Sequence, residues 1–208
     1  MTAPTGCSWS AASNSSWLSV TSGTGGNGNG TVAYSAAANL DLASQTGTLT
    51  IAAQTFTVTE GGDSFSPIFI NCGGPSYTDP NNNVWIPDNA GNISSTTNTI
   101  ANTTTPTLYQ SDTWSTGTLQ YQYSVPNGNY NVTLKFAEFY VLQAGQRQVN
   151  IVINGTTVQS AFDILAYTTP NTAYDLTFPV TVSTGQITIQ LVPVVGTAKL
   201  NALAIATQ

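Results

Sequence analysis

The residues of this chain that could carry out chemistry are carboxylates, because the sequence has nine Asp and Glu residues and no histidine. Without histidine, Ser-His-Asp catalysis, Cys-His catalysis and histidine-dependent metal chemistry are excluded. A glycosidase needs only two carboxylates, and Glu138 with Asp163 is one available pair, but nothing marks either as an acid with a raised pKa. No glycine-rich phosphate motif follows a strand and opens a helix. We therefore predict no catalytic residue, no enzymatic activity and no cofactor.

One short segment has the spacing of a metal-binding loop. Asp79, Asn81 and Asn83 place oxygen-bearing side chains on alternate residues, as at the opening of a calcium loop. The bidentate carboxylate expected later in such a loop is missing, since position 90 is an alanine. We therefore favour a turn held by Asp and Asn side chains and predict no metal site.

The two cysteines, Cys7 and Cys72, lie in different halves of the chain. A disulfide between them would have to cross a domain boundary. We favour two buried free thiols, with a bridge as the alternative.

Charge is scarce, and this narrows the classes of partner. Only 6% of the residues are charged, and the three cations are Lys135, Arg147 and Lys199. Without a basic patch, a nucleic acid is not expected as a partner. A net charge of −6 disfavours anionic membrane surfaces, and no apolar stretch is long enough to span a bilayer. The Thr-, Asn- and Gly-rich composition suggests a secreted protein, extracellular or at a cell surface.

The elements that must position any site are β-strands. Apolar and polar residues alternate in many short segments that are separated by turns, and no segment has sustained helical periodicity. Residues 48–51 and 55–59 should form a hairpin through a turn at Ala52-Ala53-Gln54. We expect loops at Gly23–Gly30 and at Ser94–Thr107. The other predicted strands are 31–34, 68–71, 118–124, 130–139, 148–153, 177–182, 186–191 and 200–205.

A glycine pair at Gly61-Gly62 marks a boundary between two modules, which we place at residues 1–63 and 64–208. The first module resembles the BACON domain, a small immunoglobulin-like β-sandwich. A Trp in such a sandwich is more often a core residue than a sugar platform, so we expect a spacer or assembly role. The motifs that carry the resemblance are Cys7-Ser8-Trp9, Trp17-Leu18 and Thr46-Gly47-Thr48-Leu49-Thr50.

The second module resembles the malectin domain, a larger jelly-roll-like β-sandwich that binds glucose-containing oligosaccharides. The short alternating strands and turns indicate an all-β fold made of β-sandwiches, and the two resemblances imply which sandwiches they are. The motifs, in order, are Ile70-Asn71-Cys72-Gly73-Gly74, Tyr109-Gln110-Ser111, Pro126-Asn127-Gly128-Asn129-Tyr130, Leu134-Lys135-Phe136-Ala137-Glu138, Val152-Ile153-Asn154-Gly155 and Phe162-Asp163-Ile164.

The malectin resemblance implies a sugar site with two aromatic side chains, Trp114 and Tyr140, on loops at one end of the sandwich. The Glu-Arg of the family pattern is replaced here by Asp112-Thr113, and the family's binding aspartate aligns with Gly196. The candidate ligand-binding residues are therefore Trp114, Tyr140, Glu138, Asp112 and Asp163. As alternatives, Glu138 and Asp163 are structural acceptors that hold loops, with Arg147 paired to one of them. The aromatic residues expected in the core are Trp85, Tyr109, Phe136 and Phe162.

Two functions from different classes remain open. The first is non-catalytic binding of a neutral, glucose-type oligo- or polysaccharide by the malectin-like module. The second is a structural subunit of a self-assembling extracellular fibre, sheath or adhesin. Sparse charge favours the second, because exposed strand edges without charged residues can pair with neighbouring molecules.

Overall fold

The computed structural model describes all 208 residues. It confirms the all-β fold class, since 53% of the residues are in strands and 3% in helices. The chain divides into two compact units, which we call the N-terminal unit (Met1–Ser64) and the C-terminal unit (Phe65–Gln208). None of its helices has the length and apolar character needed to span a membrane.

The N-terminal unit is built from six strands in two sheets. A four-stranded sheet has the order β3-β1-β5-β6, and β2 pairs with β4 in a second sheet. The buried apolar side chains of this unit are Ala11, Leu18 and Leu49. The strands are β1 (Ser8–Ser13), β2 (Leu18–Ser22), β3 (Gly25–Asn27), β4 (Ala33–Ala36), β5 (Gln45–Ile51) and β6 (Gln54–Glu60).

The predicted β5–β6 hairpin is present, but its turn is one residue shorter than expected. Ile51 pairs directly with Gln54, so only Ala52 and Ala53 form the turn. Both alanines have positive φ angles, 52° and 61°. This is the backbone conformation of a two-residue hairpin turn, which Asn and Gly usually supply.

The glycine-rich stretch Gly23–Gly30 was predicted to be a loop, and this is wrong for its middle part. Gly25–Asn27 forms β3 and pairs with β1. The half-buried Trp9 explains the glycines. Its indole Nε1 donates to Gly28 O at 2.9 Å. A Cβ on Gly30 would lie 2.2 Å from the Trp9 ring, so no larger residue fits there. Trp9 therefore packs on backbone.

The C-terminal unit contains two large antiparallel sheets with the orders β12-β17-β14-β15 and β16-β13-β19-β7-β9-β8, in which only the β7–β9 pair is parallel, and a three-stranded sheet, β10-β11-β18. The strands are β7 (Ile68–Asn71), β8 (Tyr77–Thr78), β9 (Val84–Pro87), β10 (Asn92–Ser95), β11 (Ser111–Ser115), β12 (Leu119–Ser124), β13 (Gly128–Phe136), β14 (Gln148–Ile153), β15 (Thr156–Phe162), β16 (Tyr174–Val182), β17 (Gln186–Val195), β18 (Ala198–Leu200) and β19 (Ala202–Thr207).

The core of this unit follows the period of two that strands require. In β13 the buried side chains are Tyr130, Val132, Leu134 and Phe136, and β14 and β17 alternate in the same way. The rings of Phe136 and Phe162, from the two large sheets, lie 5.0 Å apart. Alternate residues therefore build one shared core, and the core roles predicted for Trp85, Tyr109, Phe136 and Phe162 are confirmed.

Several predicted bounds differ from those in the structure. The strand predicted over 130–139 ends at Phe136, which leaves Tyr140 in a loop. The loop predicted at Ser94–Thr107 begins inside β10 and ends in a single-turn 3-10 helix, Pro106–Tyr109. The strand predicted over 200–205 is interrupted at Asn201. Its buried side-chain amide donates to Tyr109 O and Ser111 O and accepts from Ala137 N, while its backbone N–H still donates to Lys135 O.

The segment with calcium-like spacing is a turn, as favoured. Asp79 Oδ1 accepts from the backbone amides of Asn81 and Asn83. Asp79 Oδ2 accepts from the side chains of Asn83 and Trp85, each at 2.9 Å. The hydrogen bond from Trp85, followed by those from Asn83 and Asn81, lowers the pKa of Asp79 to about 2. The carboxylate is thus occupied by the turn itself.

Both cysteines are free thiols, but the prediction that both are buried is wrong. Cys7 is exposed, whereas Cys72 is fully buried. Burial, and then the nearby Asp88 carboxylate, raise the pKa of Cys72. A thiol in this state is a weak nucleophile, so Cys72 serves as a packing residue.

Candidate functional site

The two predicted aromatic side chains are brought together in the C-terminal unit, but the expectation that both lie on loops is wrong for Trp114. Trp114 lies in β11, where it pairs with Asn92 of β10 and Lys199 of β18. Tyr140 lies in the loop that joins β13 to β14, and 78% of its surface is exposed. An aromatic ring so exposed contributes little to the core and is available to a ligand.

Trp114 and Tyr140 line a cavity of about 220 Å³. The volume lies below the range of about 300–1,000 Å³ of pockets for drug-sized ligands, so the cavity suits a small group such as one sugar ring. Its other lining residues are polar. They are Ser94, Asp112, Arg147 and Thr197.

Glu138 fixes the loop that carries Tyr140. Its Oε1 accepts from the backbone amides of Tyr140 at 2.9 Å and Val141 at 3.2 Å. Its Oε2 accepts from Arg147 Nε at 2.7 Å. Both oxygens of Glu138 therefore accept hydrogen bonds, and Glu138 fixes the backbone position of Tyr140.

Asp163 holds the other end of the same loop. It accepts from the backbone amide of Gly145 and, at 3.0 Å, from that of Leu165. Between the two carboxylates, Gln146 Oε1 accepts from the amides of Leu142 and Gln143. Hydrogen bonds along its length thus order the β13–β14 loop.

A group of buried charges adjoins the cavity, and two of its members, Asp112 and Arg147, line it. The other two are Glu138 and Lys199. Lys199 Nζ is 2.7 Å from Asp112 Oδ2 and 4.0 Å from Glu138 Oε1. It also donates to Ala137 O at 2.6 Å. Two cations and two carboxylates balance each other, and this pairing offsets the free energy that buried charges otherwise cost.

Arg147 joins the buried charges to the cavity wall. Its Nε binds Glu138, and its Nη1 donates to Thr197 O at 3.0 Å and to the hydroxyl of Thr197. Arg147 and Thr197 both line the cavity, and these hydrogen bonds fix the orientation of the guanidinium.

The two carboxylates of this group differ in their electrostatics. Burial raises the pKa of Asp112, and the nearby Lys199 and Arg147 only partly oppose it. Burial acts on Glu138 too, but there Lys199 and Arg147, with the amide of Tyr140, outweigh it and lower the pKa. The difference agrees with the hydrogen bonds, because Asp112 Oδ1 has no partner at all.

Of the five predicted site residues, Trp114, Tyr140 and Asp112 line the cavity. Glu138 and Asp163 do not, and they have the loop-holding role that was the alternative for them. Arg147 is paired with Glu138, as that alternative expected. Sequence reasoning missed Ser94, Thr197 and Lys199. Only Lys199 had a signal, as one of three cations in the chain.

The chain belongs to the malectin family. Residues 66–204 match the Malectin domain, and residues 1–63 match the Viral BACON domain. The predicted identity and order of the two domains are confirmed. A malectin domain is a carbohydrate-binding domain, which is the class that the fold and the aromatic-lined cavity define.

Among characterised proteins, the C-terminal unit is similar to animal malectins. Malectin-B of Xenopus laevis is 32% identical over 84 residues, which are 40% of this chain and 30% of that protein. Human malectin is 31% identical over 84 residues, which are 40% of this chain and 29% of that protein. The chain thus spans about 30% of the length of these relatives.

Solved structures share the fold. The ANX1 ectodomain from Arabidopsis thaliana superimposes with a TM-score of 0.60 at 20% identity, covering 66% of this chain and 47% of that one. A β-glucuronidase of Bacteroides uniformis superimposes with a TM-score of 0.62 at 16% identity, covering 97% of this chain and 26% of that one. At these identities the likeness shows the fold alone.

Proposed function

We propose that this protein is a non-catalytic, extracellular carbohydrate-binding protein whose malectin domain binds neutral, glucose-type glycans in the cavity between Trp114 and Tyr140. The observation that carries the proposal is the exposed ring of Tyr140 beside Trp114 at a cavity lined with polar groups. An aromatic face covers the C–H surface of a sugar ring, and neighbouring polar groups bind its hydroxyls.

The charges at the cavity support binding rather than hydrolysis. A glycosidase needs two carboxyl groups on either side of the scissile bond, one of them an acid. Asp112 is the only carboxylate that lines the cavity. Glu138, which holds the Tyr140 loop, has a lowered pKa and both oxygens engaged, so it is a poor proton donor.

The proposal is tested by calorimetric titration of the full chain with maltose and cellobiose, which represent α- and β-linked glucose. Trp114→Ala and Tyr140→Ala should each weaken binding roughly tenfold or more, because buried aromatic contacts dominate small binding sites. Tyr167→Ala removes another exposed aromatic outside the cavity and should bind as the wild type does. No binding by the wild type, or equal binding by all four proteins, would contradict the proposal.

A second candidate function is a self-associating structural subunit, and one feature of the N-terminal unit favours it. Tyr34 and Phe56 are both exposed and form an edge-to-face pair with ring centroids 5.8 Å apart. They lie on β4 and β6, and β6 is an edge of its sheet. The only charged residue of β6 is Glu60, at its end, and an edge strand with so few charges can pair between copies. Sedimentation velocity at rising concentration should detect association that Phe56→Lys reduces, and a strict monomer at every concentration would contradict this candidate.

A further inference from the structure

Asp112 Oδ1 stands out because it is the one buried side-chain nitrogen or oxygen atom without a hydrogen-bond partner. The Asp112 residue is only 3% exposed, and its other oxygen is paired with Lys199. A buried polar atom without a partner costs free energy, and native proteins rarely keep one without a reason. Because Asp112 is also one of the residues that line the cavity, this unpartnered acceptor indicates which group in the cavity wall could bind a hydrogen-bond donor.

The position of Asp112 places this acceptor within the proposed sugar site. Asp112 and Trp114 are two residues apart in β11, so their side chains leave the strand on the same face. Both line the cavity, and Arg147 lines it with them. The cavity thus offers an aromatic surface, one anionic acceptor and one cationic donor.

We propose that Asp112 Oδ1 accepts a hydrogen bond from a hydroxyl of the bound sugar, and that this contact makes the cavity select neutral sugars over uronic acids. The inference rests on the proposed function and names the selectivity of the same site.

The chemistry of the two partners gives the direction of the selection. An ionised carboxylate only accepts hydrogen bonds, and a sugar hydroxyl has a proton to donate. The carboxylate of a uronic acid offers only acceptors and a negative charge, so Asp112 would repel it. Arg147 in the same wall offsets this repulsion little, because its guanidinium is already engaged by Glu138 and Thr197. A cationic amine gains little, because Lys199 Nζ already lies 2.7 Å from the other oxygen of Asp112.

Glu138 shows why this role falls to Asp112. Both carboxylates belong to the same buried charge group, but the two oxygens of Glu138 already accept hydrogen bonds from Tyr140, Val141 and Arg147. Only one oxygen of Asp112 has a partner, which is Lys199. The loop anchor and the ligand acceptor are therefore separate residues, each with the number of free oxygens that its role needs.

The test compares full-length wild type with Asp112→Asn, by calorimetric titration with maltose and cellobiose and with the same disaccharides ending in glucuronic acid. The wild type should bind the neutral sugars at least about tenfold more tightly. In the variant the amide oxygen should face Lys199 and the NH₂ group the cavity, which replaces an acceptor by a donor. Neutral-sugar affinity should then fall about tenfold, and the preference should largely disappear.

Asp175→Asn is the matched control, because it makes the same change of charge at a half-exposed surface carboxylate outside the cavity. It should keep both the affinity and the preference. If Asp112→Asn does not fold, monodeoxy derivatives of the bound disaccharide give an independent reading on the wild type. Removal of one particular hydroxyl should weaken binding about tenfold, with smaller effects elsewhere.

The outcomes separate this inference from the proposed function. If the wild type binds neutral and uronic disaccharides equally and no single hydroxyl matters, Asp112 Oδ1 is satisfied by water only. The inference is then overturned while carbohydrate binding stands. If the wild type binds no neutral disaccharide, the proposed function falls first and the selectivity falls with it.

Discussion

The BACON and malectin domains of this chain are both β-sandwiches, but they differ greatly in what they bury. The N-terminal unit buries three apolar side chains and the C-terminal unit buries thirty. A small unit has more surface for its volume and can exclude less side chain from water. Its fold therefore depends on backbone pairing and on contacts such as Trp9 against glycine more than on a deep core.

The same contrast extends to charge. All ten buried polar or charged residues, including Asp112, Glu138, Arg147 and Lys199, lie in the C-terminal unit. Buried ions cost free energy unless they are paired, and only a domain with a large apolar core can carry several of them. The large core of the malectin domain therefore supplies enough stabilising free energy to tolerate a buried polar site, whereas the small core of the BACON domain does not.

The largest expected effect comes from breaking the buried charge group. Glu138→Ala removes one carboxylate and leaves Arg147 without its ion pair and Lys199 with Asp112 alone. We expect a loss of about 3–5 kcal/mol in unfolding free energy, because an uncompensated charge remains buried. The measurement is unfolding in urea with hydrogen exchange as the probe, because exchange reports the stability of the two domains separately.

The control for this change is Asp175→Ala, which breaks the more exposed pair with Lys135 and removes the acceptor of the Tyr109 hydroxyl. It should cost no more than about 2 kcal/mol. Equal losses in the two variants would show that the buried group has no special weight in the malectin domain.

The next effect tests the thin core of the BACON domain. Leu49 and Leu134 are both fully buried, one in each domain. Truncation of either to Ala should cost about 2–5 kcal/mol. A 64-residue unit has a total stability of only roughly 3–10 kcal/mol, so Leu49→Ala should largely unfold the BACON domain, while Leu134→Ala leaves the malectin domain folded.

Hydrogen exchange of the native full chain distinguishes these results. Leu49→Ala should abolish protection in peptides from Met1–Ser64 and leave peptides of the malectin domain protected. Retained protection throughout the BACON domain would mean that its stability does not depend on the few side chains that it buries.

A smaller effect concerns acid stability in the malectin domain. The folded-state pKa of Asp79, about 2, lies below the ordinary value of 3.8, so its contribution to stability is complete above pH 3.8 and is lost as the pH falls toward 2. Asp79→Asn lacks this ionisation. Its unfolding free energy should lie below that of the wild type at neutral pH, and the gap should narrow between pH 3.8 and 2. A difference in unfolding free energy that does not change with pH would contradict the lowered pKa of Asp79.

The smallest expected effect is a gain in the BACON domain. Ala53 has a φ of 61°, which glycine adopts without the strain that a Cβ brings. Ala53→Gly should therefore stabilise the hairpin by about 0.5–1 kcal/mol. Ala12→Gly is the matched control, because Ala12 lies in the extended strand β1 and should lose stability instead. Thermal unfolding with hydrogen exchange as the probe measures the stability of the BACON domain in both variants.

The strands were predictable where their side chains alternate, and β7 and β14 have the predicted bounds. The errors fall where another force sets the backbone. Glycines carry no alternation, so β3 was missed. The break at Asn201, whose side chain makes buried hydrogen bonds, falls within a segment predicted as one strand. In the hairpin, two alanines adopt a conformation that their residue type does not signal.

The site was predictable only in part. Trp114 and Tyr140 came from the family resemblance, and the cavity brings them together with Asp112. Thr197 and Ser94 were not predictable, because they approach the site from other strands and loops. The separate roles of Glu138 and Asp112 were also out of reach, since both are carboxylates near loop ends and only their partners differ.

The sequence by itself determined the β class, the two domains in their order and the absence of histidine chemistry, because alternation, motifs and composition are properties of the chain read in line. Only the tertiary structure decided which carboxylates hold a loop and which faces the cavity. Asp112 and Lys199 are far apart in sequence and meet because β11 pairs with β18, and burial then leaves one oxygen of Asp112 without a partner. Hydrogen-bond satisfaction depends on such long-range neighbours, which residue type alone does not specify.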